Sequence, residues 1–303
     1  MADGRKWFLY VAVATLMFST SAVFIRWTAP VSPYVITWGR LAVATLTAAA
    51  LALFSRQTIR LSRKDIPRFL LFGGIIALHL YCYITALSYT TIAHTLTLAY
   101  TAPIFVTLFS ALFLHEPIPR WKYSGVLVAV VGVAILAGFE PRFDRRMLIG
   151  DALALCSAVT YGLYSIAGRS QRDRYPLLTY MVAIYAAGTL WMTPAALPLI
   201  TEGWGGRQVA ALVVSGILPL GIAQTLYTAA LRRAHATYVN LVASQEVTGG
   251  ILLGWLLLGE ALTWNAAIGA AVTLIGIVLV LIDVPQMRKA LHHETVKTPG
   301  QQA

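Results

Sequence analysis

The chain is a series of long apolar runs that short polar stretches separate. Ten runs can be delimited, and each approaches the roughly 20 residues that an α-helix needs to cross a bilayer. They lie near residues 7–27, 33–54, 68–89, 92–114, 121–138, 149–168, 176–200, 207–231, 237–258 and 264–282. The longest polar gap, 55–67, is too short for a separate soluble domain. The pattern therefore predicts an all-α membrane protein with ten transmembrane helices.

Composition supports this interpretation. Of the 303 residues, 58% are hydrophobic and 12% are charged, and the mean hydropathy is +0.71. Soluble domains are nearer half apolar and a quarter charged, so an ordinary cytosolic enzyme, a coiled coil and a disordered protein are excluded. The first run lacks a convincing cleavage site and is interpreted as a retained span. The only cysteines, Cys82 and Cys156, lie within apolar runs and indicate neither a disulfide framework nor a metal site.

Charge sets the predicted orientation. The net charge is +11, but the bases flank apolar runs and so do not indicate a nucleic-acid partner. A cytoplasmic N-terminus assigns 17 of the 23 Lys and Arg residues to the inner side and five to the outer side, with Arg40 inside the second run. Basic residues accumulate in cytoplasmic loops. We therefore expect both termini in the cytoplasm.

The two halves of the chain match each other. At an offset of 144 residues the matched pairs are Tyr83–Tyr227, Ala86–Ala230, Glu116–Glu260, Gly125–Gly269 and Gly132–Gly276, and at an offset of 143 Arg26 matches Arg169. Five runs per half is an odd number, so the second half enters the membrane from the opposite side. We expect inverted repeats over 1–144 and 145–288, followed by a disordered cytoplasmic tail over 289–303. Such repeats are typical of secondary transporters that work by alternating access.

Several motifs are similar to a known family. They are Trp38-Gly39-Arg40, Ala86-Leu87, Leu112-Phe113-Leu114-His115-Glu116 and Gly125…Gly132, with second copies at Ala230-Leu231, Leu256-Leu257-Leu258-Gly259-Glu260 and Gly269…Gly276. This pattern resembles the EamA-type transporters of the drug/metabolite transporter superfamily. The resemblance implies export of amino acids or other small metabolites across a bacterial-type inner membrane, with neutral and aromatic amino acids as first choice. Many members carry Glu-Pro in the fourth and ninth spans, whereas here Ala102 precedes Pro103 and Val247 follows Glu246.

Polar residues inside the apolar runs predict the substrate site. The fourth run is interrupted by Pro103 and the ninth by Gly249-Gly250, and transporter sites lie where matching spans are interrupted. The candidates before these interruptions are Thr97, Tyr100, Thr101, Asn240, Ser244, Gln245 and Glu246. The third and eighth runs add His79, Tyr83, Gln224 and Tyr227, and neighbouring runs add aromatic surface at Tyr161, Tyr164 and Tyr185. For each residue the alternative is a hydrogen bond between helices.

Three ionisable residues lie within the runs. Arg40 would hold a substrate carboxylate or, as the favoured interpretation, pair structurally with a carbonyl group or with Glu246. His79 would relay a proton or stay neutral in the core. Glu246 would bind a substrate ammonium group, carry a coupling proton or pair with Arg40.

The span ends carry two further features. Glu116 and Glu260 are expected to cap the following helix, with a gating role as the alternative. Gly125-x₃-Ala129 and Gly269-x₃-Thr273 predict close packing, either of the fifth span on the tenth or across a homodimer.

Other classes of protein find little support. The chain has no Gly-x₄-Gly-Lys-[Ser/Thr] phosphate loop, which argues against direct use of ATP. No pair of deep acidic residues suggests a protease, so we expect no enzymatic activity, cofactor or metal ion. The expected partners are a small-molecule substrate and the lipid bilayer. A sugar-phosphate, nucleotide or drug translocator of the same fold remains an alternative, as does a membrane receptor that binds a ligand without moving it.

Overall fold

The computed structural model describes residues 2–89, 95, 98–137, 145–201, 203–258 and 264–281, and all regular structure in these ranges is helical. Thr97, Glu260 and the predicted tail over 289–303 lie outside the described residues. The α-helices are α1 (Ala2–Phe18), α2 (Ser21–Trp27), α3 (Pro33–Phe54), α4 (Ile66–Tyr89), α5 (Ala102–Phe113), α6 (Lys122–Ala137), α7 (Arg145–Ser170), α8 (Leu177–Ala196), α9 (Gly206–Ser215), α10 (Gln224–Leu231), α11 (Ala236–Ala243), α12 (Glu246–Leu258) and α13 (Trp264–Leu281).

In the described ranges, six helical stretches are long and apolar enough to cross a membrane. They are Lys6–Trp27, Pro33–Phe54, Arg63–Tyr89, Arg145–Ser170, Leu177–Leu199 and Gly206–Leu231. Shorter apolar helices occupy Ala102–Phe113, Lys122–Ile135 and Ala271–Val280, within the predicted fourth, fifth and tenth spans. The described chain is therefore a multi-span helical membrane protein.

The predicted fourth and ninth spans are both broken, at matching positions. Turns at Tyr100–Thr101 and at Ser244–Gln245 precede α5 and α12, and the repeat offset of 144 residues superposes them. Pro103 lies in the first turn of α5, where a missing N–H group costs little. Backbone bonds at both turns span three residues: Thr101 N–H donates to Leu98 O and Gln245 N–H donates to Val242 O, both at 3.2 Å.

The prediction that Gly249-Gly250 interrupts the ninth span was wrong. Both glycines lie inside α12, and the break comes five residues earlier, at Ser244. Gly249 instead faces the end of α1, where an added Cβ would lie 2.0 Å from Ser19 Oγ. The residue is small because two helices approach closely there, and Ser19 itself belongs to the short break between α1 and α2.

The predicted eighth span contains a stretch of π-helix. It covers Gly216–Ala223, between α9 and α10, and includes Pro219. Its glycines contact α3, since a Cβ on Gly216 would lie 2.6 Å from Val43 Cβ and one on Gly221 would lie 2.7 Å from Thr47 Cγ2. A π-segment inside an α-helix is frequent at functional sites.

The helices pack in matched pairs. α3 packs against α8, which is its counterpart in the second half, and α6 packs against its counterpart α13. α4 lies against α7, just as their counterparts, the α10 region and α1, lie against each other. This pairing is the pattern that two structural repeats related by a two-fold axis produce.

The predicted close packing of the fifth and tenth spans is confirmed. A Cβ on Gly132 of α6 would lie 2.3 Å from the backbone nitrogen of Thr273 on α13. A Cβ on Gly276 of α13 would lie 2.3 Å from the backbone nitrogen of Ala129. Each helix therefore presents a glycine to the backbone of the other, as small-residue interfaces between membrane helices do.

Contacts in the connections and at the helix ends fall into two groups. In one group, three connections meet through Tyr175 Oη, which donates to Asp65 Oδ1 at 2.5 Å, and Tyr175 O, which accepts from Arg232 Nη1 at 2.8 Å. The other group includes the contact of Gln208 Nε2 with Ala29 O at 3.0 Å and that of Arg146 Nη2 with Ser88 O at 3.0 Å, at helix ends. Each of these contacts joins residues that the sequence places on the same side of the membrane.

A glycine-to-alanine exchange tests the α6–α13 interface. Gly132→Ala should destabilise the protein by about 1–3 kcal/mol, because the new methyl group meets backbone that side-chain rotation cannot move away. Gly206→Ala is the matched control, since its Cβ would have nothing within 4 Å. Thermal unfolding in detergent should show a lower midpoint for Gly132→Ala alone. Equal midpoints for both variants would contradict the interface.

Candidate functional site

A cavity lies between the two halves of the chain. The space between its lining atoms is about 690 Å³, open solvent at its mouth included. Both halves supply lining residues, from the α1–α2 region, α3 and α4 and from α7, α10 and α11. Among the predicted substrate-binding and ionisable residues, eight line it: Arg40, His79, Tyr83, Tyr100, Gln224, Asn240, Ser244 and Glu246.

Three predicted site residues are not among the lining residues. The Thr101 hydroxyl donates to Leu98 O at 2.7 Å, and the Gln245 side-chain carbonyl accepts from Thr248 Oγ1 at 3.2 Å. Tyr227 is completely buried, and its hydroxyl accepts from Asn240 Nδ2 at 3.2 Å. Tyr227 therefore orients a lining residue from behind.

Of the three tyrosines predicted to add aromatic surface, one lines the cavity and two do not. Tyr161 lines the cavity. Tyr164 and Tyr185 do not, because their hydroxyls point to Thr228 Oγ1 at 3.2 Å and to Leu220 O at 2.7 Å.

Sequence reasoning missed several lining residues, among them Phe18, Ser21 and Pro219. The signal for the first two was the polar stretch Ser19-Thr20-Ser21 in the middle of an apolar run, which marks the break between α1 and α2. The signal for the third was the proline itself, inside the eighth run.

Arg40 presents a buried guanidinium to the cavity. The residue is 2% exposed, and its Nη2 donates to Ser21 Oγ at 3.1 Å. Its Nε and Nη1 have no hydrogen-bond partner among the residues that the structure describes. The charge of Glu246 acts on Arg40, but the described ion pairs do not include the two residues. The structural pair that the sequence favoured is thus not among the described contacts.

His79 is held between aromatic rings and a serine. Its Nδ1 lies 3.0 Å from Ser157 O and 2.9 Å from Ser157 Oγ. The ring centroid lies 4.9 Å from that of Tyr161 and 6.5 Å from that of Tyr83. These contacts fix the ring orientation on α4, and the imidazole forms part of the aromatic lining.

Glu246 is the first residue of α12 and follows directly on the helix break. Its side chain is half-buried and interacts with the Tyr100 hydroxyl at the other break. A carboxylate at a helix N-terminus is favourably placed in the field of the helix dipole. The two breaks thus bring an acid and a phenol from opposite halves to the same cavity wall.

Glu116 joins the halves at one end of the molecule. Its Oε2 accepts from Arg169 Nε at 2.6 Å, and Arg172 Nη1 lies 3.8 Å from Oε1. Arg169 also donates from Nη1 to Leu231 O at 2.8 Å and to Ala234 O. The prediction that Glu116 caps the following helix is therefore replaced by an ion pair with the end of α7. We call Glu116, Arg169 and His235 the clamp.

His235 completes the clamp. Its Nδ1 accepts from the backbone N–H of Thr237 at 3.3 Å, so Nε2 donates to the Glu116 carbonyl at 2.7 Å. The nearby contact of Lys122 Nζ with Tyr238 Oη, at 2.9 Å, also links the two halves.

The surroundings of the clamp shift the pKa values of Glu116 and His235. Burial alone would raise the pKa of the Glu116 carboxyl, but the hydrogen bond and charge of Arg169, with His235 and Arg172, bring it below its ordinary value. Burial, against the opposing hydrogen bond to the Glu116 carbonyl, lowers the pKa of His235. Both shifts make the clamp most favourable when Glu116 is ionised and His235 is neutral.

A helical membrane protein with a cavity of polar and aromatic lining residues between two matched halves has the architecture of membrane transporters for small solutes. The model of the EamA-like transporter family matches this chain twice, over residues 5–138 and 148–282. The chain belongs to the EamA-like transporter family.

Individual relatives are exporters. The chain is 30% identical to the pseudopaline exporter of Pseudomonas aeruginosa over 283 residues, which cover 90% of this chain and 93% of that protein. It is 30% identical to a probable terminal-alkyne amino-acid exporter of Streptantibioticus cattleyicolor over 188 residues, 59% of this chain and 60% of the relative. One crystal structure has the same fold, with a TM-score of 0.80, 22% identity, and 91% of this chain and 98% of that chain covered.

Removal of the clamp cation should destabilise the protein. Arg169→Gln leaves Glu116 without its closest partner and should cost about 3 kcal/mol. Arg172→Gln is the matched control and should cost less than about 1 kcal/mol, because that pair is longer and more exposed. Thermal unfolding in detergent checks both. Similar losses of stability in the two variants would contradict the conclusion that Arg169 is the main partner of Glu116.

The clamp also predicts a pH dependence. Because the folded-state pKa of Glu116 is lowered, its contribution is complete above the ordinary carboxyl range and is lost as the pH falls through the lowered value. Glu116→Gln should therefore flatten the acid limb of the unfolding midpoint plotted against pH. An unchanged acid limb would show that other carboxyl groups control it.

Proposed function

We propose that this protein exports neutral amino acids, aromatic ones among them, by alternating access across a bacterial-type inner membrane. One observation carries the proposal: the cavity between the halves presents one cation, one acid and an aromatic lining to the same space. Arg40 and Glu246 complement the two charges of a zwitterion, and Tyr83, Tyr100 and Tyr161 suit an apolar or aromatic side chain. Two relatives support export, and one of them is a probable amino-acid exporter.

Ten crossings with both termini in the cytoplasm are part of the proposal. The two groups of contacts at the helix ends support this topology, because each of the four named contacts joins residues that it puts on the same side of the membrane. The repeats over 1–144 and 145–288 are supported by the two family matches, which fall within these boundaries.

The clamp supplies a means of closing one end of the cavity. Glu116 and Arg169 come from different halves, so their separation would open a path between them. Their repeat counterparts are Glu260, outside the described residues, and Arg26. We propose that these counterparts close the opposite end in the alternate state, as two interchangeable halves require.

Counterflow in proteoliposomes tests the function. Vesicles with purified protein are loaded with unlabelled phenylalanine, and labelled phenylalanine is added outside. A carrier exchanges the two, so the tracer should accumulate transiently. Parallel vesicles receive leucine, a sugar phosphate or a nucleoside, and protein-free vesicles give the leak rate.

Each outcome distinguishes a class of protein. Accumulation of phenylalanine and leucine supports the proposal. Accumulation of the sugar phosphate or nucleoside alone would keep the carrier and replace the substrate. Saturable binding of phenylalanine without any counterflow would contradict transport and favour a receptor.

A tyrosine exchange tests the place of the site. Tyr83→Ala should reduce the initial rate of phenylalanine counterflow at least tenfold, because it removes a lining aromatic ring from the cavity wall. Tyr123→Ala is the matched control, since Tyr123 is 43% exposed on α6. Both variants are compared at equal amounts of folded protein in the vesicles. Equal rates for Tyr83→Ala and wild type would exclude this cavity wall from the transport path.

A further inference from the structure

The unpartnered polar atoms around the cavity share one chemical property. Among the described residues they are Arg40 Nε and Nη1, the Tyr83 hydroxyl and Gln224 Nε2. All of these are hydrogen-bond donors, and only the hydroxyl also accepts. The three side chains are 2%, 8% and 6% exposed, respectively. Buried donors without acceptors are costly, so the cavity is prepared for a ligand group that is rich in acceptors and negatively charged.

A second part of the cavity wall is suited to a positively charged ligand group. Glu246 is the acidic lining residue, and it lies with Tyr100 where the two helix breaks meet. Its charge and that of Arg40 act on each other, yet Arg40 is hydrogen-bonded to Ser21 rather than paired with the carboxylate. The two opposite charges line one cavity and the cation bonds to a neutral partner, so each charge can receive a complementary group of one ligand.

We propose that the cavity binds an α-amino acid in one orientation, with its carboxylate on Arg40, Tyr83 and Gln224 and its ammonium group on Glu246. The aromatic rings of His79 and Tyr161 remain for the amino-acid side chain. This proposal rests on the proposed function and specifies its substrate recognition. It makes Arg40 and Glu246 the residues that select for a zwitterion.

Selection follows from the cost of an unpaired buried charge. A ligand without a carboxylate leaves Arg40 unsatisfied, and a ligand without an ammonium group leaves Glu246 unsatisfied. Sites built to hydrogen-bond a ligand group reject analogues that lack it far more strongly than sites of apolar complementarity do.

Three probes with the same phenylethyl skeleton test the orientation: phenylalanine, phenethylamine without the carboxylate, and 3-phenylpropionate without the amine. Competition against labelled phenylalanine is measured on purified protein in detergent. In the wild type, phenylalanine should bind at least about tenfold more tightly than either analogue. This comparison needs no variant, so a folding defect cannot obscure it.

Two variants then test which residue binds the carboxylate of the ligand and which binds its ammonium group. Arg40→Gln should weaken phenylalanine and 3-phenylpropionate about tenfold or more and leave phenethylamine within about twofold. Glu246→Gln should weaken phenylalanine and phenethylamine and spare 3-phenylpropionate. Where a variant binds labelled phenylalanine too weakly for the competition assay, the affinity for each probe is measured directly by calorimetry. Arg207→Gln, which removes an exposed arginine, is the control and should change none of the three affinities.

The results separate this proposal from the function. A uniform loss of all three probes in Arg40→Gln and Glu246→Gln would make both residues structural and overturn the orientation, while counterflow of amino acids by the wild type would still support export. Equal affinity of the wild type for all three probes would also overturn it. A wild type that exchanges only a phosphorylated solute would overturn the amino-acid substrate and the orientation together.

Discussion

One constraint governs this fold: within the hydrocarbon layer a polar group must find its partner inside the protein. Thr15, Thr45 and Thr107 meet the constraint locally, since each hydroxyl donates to the carbonyl oxygen four residues earlier. At a helix break the backbone bonds span three residues instead of four, as in the bond from Gln245 N–H to Val242 O at 3.2 Å. The breaks before α5 and α12 both border the cavity, where Tyr100 and Ser244 are lining residues. Each break therefore keeps backbone groups bonded locally while it brings a polar residue to the cavity wall.

This constraint also explains how much the sequence could predict. The run over 33–54 and the helix Pro33–Phe54 coincide, because proline and the loss of apolar residues mark both ends. The break in the ninth span was misplaced because glycine has two uses, to interrupt a helix or to let another helix approach. Which use applies to Gly249 depends on Ser19, more than 200 residues away in the chain. A single sequence records the glycine but not its neighbour in space.

The residues of the candidate site also differ in how far the sequence could predict them. Polar residues in apolar runs are conspicuous, so eight of them could be named before the cavity was known. Near a helix break the direction of a side chain changes with each residue, and this is why Tyr100 and Ser244 line the cavity while Thr101 and Gln245 bond within their own turns. The ion pair of Glu116 was missed because a span-end acid has many possible partners, and proximity to α7 is a property of the packed fold alone.

The duplicated framework and the ligand site follow different rules. Helices pair as two-fold symmetry requires, so either end of the molecule has the architecture to close. The charged residues of the cavity do not obey that symmetry: Glu246 matches Ala102, and the offsets of 143 and 144 residues place Arg40 on Ala183 or Ile184. A symmetric pair of charges would repel a ligand or one another, whereas one cation and one acid can complement a polar solute from two sides. The positions at which the halves differ therefore determine what the cavity binds, and the positions at which they agree determine how it opens.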